Sequence, residues 1–213
     1  MKKRSFSIDS FLRGFLFLLL LLVACTLLVT GFVLYRQRAI ISKLEGRLAT
    51  LRSATIPLRF MVLSRSDQAI SARFRFYDAD GKEIAAFERS WNGSELSIDS
   101  VLVPLGSSYL VFPSRVFTDA IAPRRGTDLF QYYDIEGFPA IYNSTKLDSA
   151  TKKALSTLFA QVRSSERYDE TEAAPKGSFG NAVHDLKRLR GFEVGAIYSL
   201  LVRTNGGIEI IRD

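Results

Sequence analysis

His184 and Asp185 stand side by side, and His184 is the only histidine in the 213 residues. A general base needs a group that orients it and a nucleophile within reach. Ser178 is near in sequence, but Gly177-Ser178-Phe179-Gly180 lacks the nucleophile-elbow pattern, so a hydrolase built around His184 and Asp185 ranks third among the functional readings. Asp78 and Asp80 have the spacing that opens a calcium loop. Such a loop ends on a bidentate carboxylate at its twelfth position, where Arg89 stands, and Asp78-Ala79-Asp80-Gly81 therefore predicts a hairpin turn. The glycine-rich stretches have neither the dinucleotide nor the P-loop order. No catalytic or metal-ligating residue and no cofactor is assigned.

Two kinds of binding surface remain. Residues 120–144 are rich in Pro, Gly and aromatics without a clear period, which predicts a long ordered loop broken by short strands. Its Tyr132, Tyr133, Phe138 and Tyr142 form the candidate ligand or partner surface, suited to a glycan or small molecule. Lys187-Arg188 with Arg190, and Arg124-Arg125, are short basic clusters that read as solvated faces. Asn92-Gly93-Ser94 and Asn143-Ser144-Thr145 are glycosylation sequons, relevant only in a eukaryotic secretory pathway.

The charge distribution argues against nucleic acid. The net charge is +7, yet nine Lys/Arg and two Asp/Glu lie before Ala54, leaving 20 of each in the rest. All the excess basicity flanks the apolar run Gly14–Tyr35, 22 residues without a charge. A helix of that length spans about 33 Å, enough for a hydrocarbon core of about 30 Å. Arg13 and Arg36 bracket it, and Tyr35 occupies an interfacial position. The expectation is a single-pass signal-anchor: a basic cytoplasmic tail over 1–13, a transmembrane helix over 14–35 and a domain outside the cytoplasm. Moving a short basic tail across a membrane is unfavourable, whereas large domains translocate with little regard to charge. Leu22-Val23-Ala24-Cys25 resembles the lipobox of bacterial lipoproteins, which implies the alternative of a chain anchored through Cys25. The residues after it, Thr26 to Tyr35, stay apolar where a lipoprotein continues into a polar tether. Cys25 is the only cysteine, so no disulfide framework holds the domain.

Residues 36–53 continue with helix formers. Ile41, Leu44, Leu48 and Leu51 follow the 3-4-3 spacing of two heptads, a candidate dimer stripe on a helical stalk or a stripe packed on the chain's own domain. Pro57 ends the helical run. From Ile56 the period is two: Ile70, Ala72, Phe74 and Phe76 alternate with Ser71, Arg73, Arg75 and Tyr77, and Lys82 to Trp91 reads as the returning strand. Further strands are expected from Leu96 to Leu102, Ser108 to Phe112 and Arg115 to Thr118. The block ARFRFYDADGKEI resembles the Phe-x-Leu-Tyr-Asp hairpin of small bacterial extracytoplasmic β-sandwich modules, with Phe76 where leucine is usual.

Asp148 is placed to cap a helix over Ser149–Arg163 whose stripe is Ala154, Leu155, Leu158, Phe159 and Val162. A polar linker follows over 166–176. Val194 to Arg203 and Ile208 to Ile211 flank Thr204-Asn205-Gly206-Gly207, which predicts a C-terminal hairpin within 193–213. The fold class expected for 54–213 is α+β, an antiparallel sheet or sandwich with one covering helix. The layout is similar to that of MreC-like and other single-pass envelope assembly factors. It implies a non-catalytic scaffold whose partners are the lipid bilayer, other envelope proteins and a second copy of the chain.

Overall fold

Alternate burial along Ile70, Ala72, Phe74 and Phe76 sets the architecture, because a strand with one apolar face must turn that face onto something. The computed structural model describes residues 16, 18–26, 28, 55–105, 108–168, 180–183, 192–203 and 207–213. The expected stalk over 36–53, His184-Asp185, Lys187-Arg188, Arg190 and the expected turn at Asn205-Gly206 lie outside them. The chain divides into two units, Met1–Ile40 and Ile41–Asp213. In the first, the described residues are helical, and Leu16, Leu18, Leu20 and Leu28 are each more than half exposed. No helix of the described residues is long and apolar enough to cross a membrane.

The second unit is α+β, with every described strand pair antiparallel. Its strands are β1 (Thr55–Arg65), β2 (Ala69–Tyr77), β3 (Glu83–Asn92), β4 (Leu96–Leu105), β5 (Ser108–Thr118), β6 (Thr127–Asp128), β7 (Asp134–Ile135), β8 (Phe138–Pro139), β9 (Gly180–Val183), β10 (Ile197–Val202) and β11 (Ile208–Arg212). One sheet has five strands in the order β11-β10-β1-β2-β3, another has four in the order β6-β5-β4-β9, and β7-β8 is a small hairpin. The C-terminal hairpin thus joins the chain's first strand, since β10 pairs with β1.

An aromatic row crosses the buried face of the five-stranded sheet. Tyr198, Phe60, Phe74 and Phe87 are successive register partners on β10, β1, β2 and β3. Their rings stack at 5.5, 5.5 and 5.1 Å, and Tyr132 continues the row on Phe87 at 4.1 Å. Such cross-strand pairs contribute about 0.2–1 kcal/mol each beyond alanine. They also fix register, since a one-residue slip would turn every ring to solvent. Trp91 on β3 donates from Nε1 to Thr127 Oγ1 on β6 at 2.9 Å, which ties an edge of one sheet to an edge of the other.

Two expectations about element boundaries are corrected. Ser108–Thr118 is one strand rather than two: a bulge in β5 leaves Ser114 unmatched between Arg115, which faces Asp99, and Pro113, which faces Ser100, and a missing N–H at Pro113 costs little there. The helix, α1 (Ser149–Tyr168), runs past Arg163, so residues 166–168 of the expected linker are helical. Asp148 caps it as read, with Oδ1 accepting from the Thr151 N–H at 2.6 Å. Leu155, Leu158, Phe159 and Val162 are fully buried, and Phe159 meets Phe112 of β5, Phe130 and Tyr133. Ala154 is only half-buried.

Candidate functional site

The loop 120–144 does not deliver the aromatic surface expected of it. Tyr133 is fully buried and its hydroxyl donates to the Pro113 carbonyl at 2.7 Å. Tyr142 is also buried; its hydroxyl accepts from the Val111 N–H at 2.7 Å and donates to the Val111 carbonyl at 2.8 Å. Burial holds the Tyr142 phenol far above its ordinary pKa, against a smaller opposing effect of the Val111 hydrogen bond. Both rings anchor the loop to the backbone of β5, so both are core. Tyr132 and Phe138 are half-buried, Tyr132 lying flat on Phe87. Three 3-10 turns, Pro123–Arg125, Phe130–Tyr132 and Ala140–Tyr142, shape the segment together with β6, β7 and β8. Arg124 and Arg125 are exposed on the first turn, and the Arg124 carbonyl accepts from Arg115 at 2.6 Å.

The two aspartates of the β2–β3 turn act within the fold. Asp78 Oδ1 accepts from the backbone N–H groups of Asp80 at 3.1 Å and Lys82 at 2.8 Å, closing the turn around Gly81. Asp80 accepts from the Thr145 N–H and the Ser144 hydroxyl, both at 2.8 Å, and so clamps this turn to the end of the 120–144 segment. The Thr145 N–H, then the Ser144 hydroxyl, hold the Asp80 carboxyl below its ordinary range. Asp119 does the same at the β3–β4 turn, accepting from the N–H groups of Ser94 at 2.8 Å and Glu95 at 3.0 Å. Its carboxyl too is lowered, first by the Glu95 N–H.

A groove among the described residues lies elsewhere, on the outer face of the five-stranded sheet. Strand alternation puts Arg59 and Met61 of β1 on that face with Arg73, Arg75 and Tyr77 of β2. With Ile197 and Asp213 they line a depression of about 170 Å³. Register makes Arg59 and Arg75 direct partners and sets Arg73 opposite Met61. The Arg59 guanidinium lies 5.1 Å from the Tyr77 ring centroid. Acidic groups stand around the rim: Asp213 Oδ2 is 3.5 Å from Arg59 Nε, Glu83 Oε2 is 3.5 Å from Arg75 Nη1, and Glu88 pairs closely with Arg73. The Ser199 hydroxyl donates to Asp213 Oδ1 at 2.6 Å, which fixes that carboxylate on β10. Arg59 Nε is buried and makes no hydrogen bond, its approach to Asp213 being a charge contact without hydrogen-bond geometry.

Part of this face was legible in the sequence, because Arg73 and Arg75 alternate with buried residues. The opposition of Arg59 to Arg75, and the arrival of Ile197 and Asp213 from the far end of the chain, depend on non-local register that no short pattern carries. No protein-family model, curated protein or solved structure matches the chain.

Proposed function

We propose that the chain is a single-pass, membrane-anchored scaffold or assembly component of the cell envelope, non-catalytic, with its α+β domain outside the cytoplasm. The anchor reading is supported by the charge-free run 14–35, its basic flanks and the exposed leucines of its described part. Its partners are the bilayer and other envelope proteins, with a second copy meeting it through Ile41, Leu44, Leu48 and Leu51.

The observation that carries the scaffold reading is the outer face of the five-stranded sheet. Arg59, Arg73 and Arg75 keep between a third and a half of their side-chain surface exposed, and Ile197 is 47% exposed beside them. A depression of this size is well below the roughly 300–1,000 Å³ of small-molecule sites, whereas arginine beside exposed apolar surface is common at the centre of protein interfaces.

The test is site-specific photocrosslinking of the full chain in its native membrane. A photoreactive phenylalanine analogue at position 197, where the exposed Ile197 lines the depression, is expected to give defined adducts with envelope proteins, and the same analogue at position 153, on the exposed side of α1, is not. Equal labelling from both positions, or none from position 197, would contradict this docking face.

A further inference from the structure

We propose that the Arg59–Arg75 pair receives a carboxylate side chain from an extended acidic segment of a partner protein; this rests on the outer sheet face being the docking surface. Like charges directly opposite one another destabilise a sheet, so two arginines paired in register on adjacent inner strands call for compensation. Within the chain that compensation is partial. Elsewhere on the surface, Arg203 meets Glu209 and Arg212 meets Glu193 at 2.7 Å, the length of a charge-assisted hydrogen bond. Arg59 and Arg75 approach their carboxylates only to 3.5 Å, and the buried Arg59 Nε–H has no acceptor. An incoming carboxylate lying between the two half-exposed guanidinium side chains supplies the close charge-assisted partner that the 3.5 Å contacts do not.

Size and spacing narrow the occupant. About 170 Å³ holds a side chain or two, too little for a typical small-molecule ligand. Arg73 and Arg75 lie two residues apart on one strand, hence about 7 Å from each other along it. Alternate side chains of an extended peptide have the same spacing, so an acidic residue at Arg75 places the next one beside Arg73, where it competes with Glu88. Met61, Tyr77 and Ile197 give the intervening residues apolar surface. A flat phosphate array, such as a lipid surface or nucleic acid, would bring many anionic charges against Glu83, Glu88 and Asp213 at once, whereas an extended chain sets one carboxylate at a time into the depression between them.

The experiment uses the full chain in detergent micelles and a fluorescein-labelled peptide of alternating Glu and Thr, read by anisotropy. Saturable binding is expected, about tenfold or more weaker for the Gln-Thr peptide and for the Arg59→Gln/Arg75→Gln variant. The Arg124→Gln/Arg125→Gln variant should bind as the parent does. Arg75→Lys, at an exposed position, keeps the charge and the fold but loses the fork, and a several-fold loss is expected from it even where the double variant fails to fold. Absence of peptide binding, affinity unchanged by the Arg59 and Arg75 substitutions, or capture by phosphatidylserine vesicles in place of the peptide would each overturn the proposal. If crosslinks from position 197 persist while the peptide fails, the docking face stands and its acidic chemistry is wrong; if those crosslinks are also absent, the docking face itself is wrong.

Discussion

Tyr133 and Tyr142 are recognisable in the sequence as an aromatic concentration, but not as core, because what decides it is the backbone of β5, reached from about 20 and 31 residues away. A phenol can be buried only if its hydroxyl finds a partner. Tyr133→Phe removes the donor to the Pro113 carbonyl and is expected to lower stability by about 1–2 kcal/mol in urea melts while leaving the fold intact. The aspartates make a prediction of opposite signs. Asp80 and Asp119 have folded pKa values below their unfolded ones, so the stability they contribute is present above about pH 4 and is lost as pH falls through their folded values. Asp80→Asn and Asp119→Asn should therefore destabilise at pH 7 and flatten the acid limb of stability against pH. Asp99 is buried and raised, chiefly by desolvation, with the Ser100 N–H and Arg115 opposing. Its ionised form costs stability above its folded pKa, so Asp99→Asn should raise the urea midpoint at pH 7, with the gain shrinking as pH falls towards 4. Equal slopes for all three variants would refute this assignment.

At the scale of elements, period carried most of the information. Alternation located β2, the turn signal after it located β3, and the cap at Asp148 with its apolar stripe located α1, because these signals are local. What period could not supply was the division into two sheets, the bulge that lets Pro113 sit inside β5, and the pairing of β10 with β1. The connection from β3 to β4 shows how closely an element join can be built. Gly93 has φ +108°, and a Cβ there would lie 2.5 Å from Asp119 Oδ1 and 2.7 Å from Thr118 Oγ1. Gly93→Ala is thus expected to displace the Asp119 clamp and cost about 1–3 kcal/mol, with Gly81→Ala, which meets nothing within 4 Å, paying only the backbone penalty. Differential scanning calorimetry on the two variants checks the order; an equal loss would mean that Asp119 does not hold the turn.

For the whole molecule, the sequence speaks most clearly where a single physical requirement acts on a long stretch. Twenty-two uncharged residues between Arg13 and Arg36 meet the one requirement of a lipid span, and the basic excess gathers at its ends. The candidate site was far less visible, since Arg59, Arg75, Ile197 and Asp213 meet only through folding. We propose a domain fixed at the membrane that presents an arginine-bearing sheet face to its neighbours. The most direct measurement of its foundation is to fuse a reporter active only outside the cytoplasm after Ser53 and, separately, after Asp213, in cells whose membranes are then washed at alkaline pH. The account predicts activity from both fusions, retention in the washed membrane pellet, and a mature chain that still carries residues 1–24. Reporter silence at both positions would contradict the orientation, and a mature chain beginning at a lipid-modified Cys25 would contradict the transmembrane anchor.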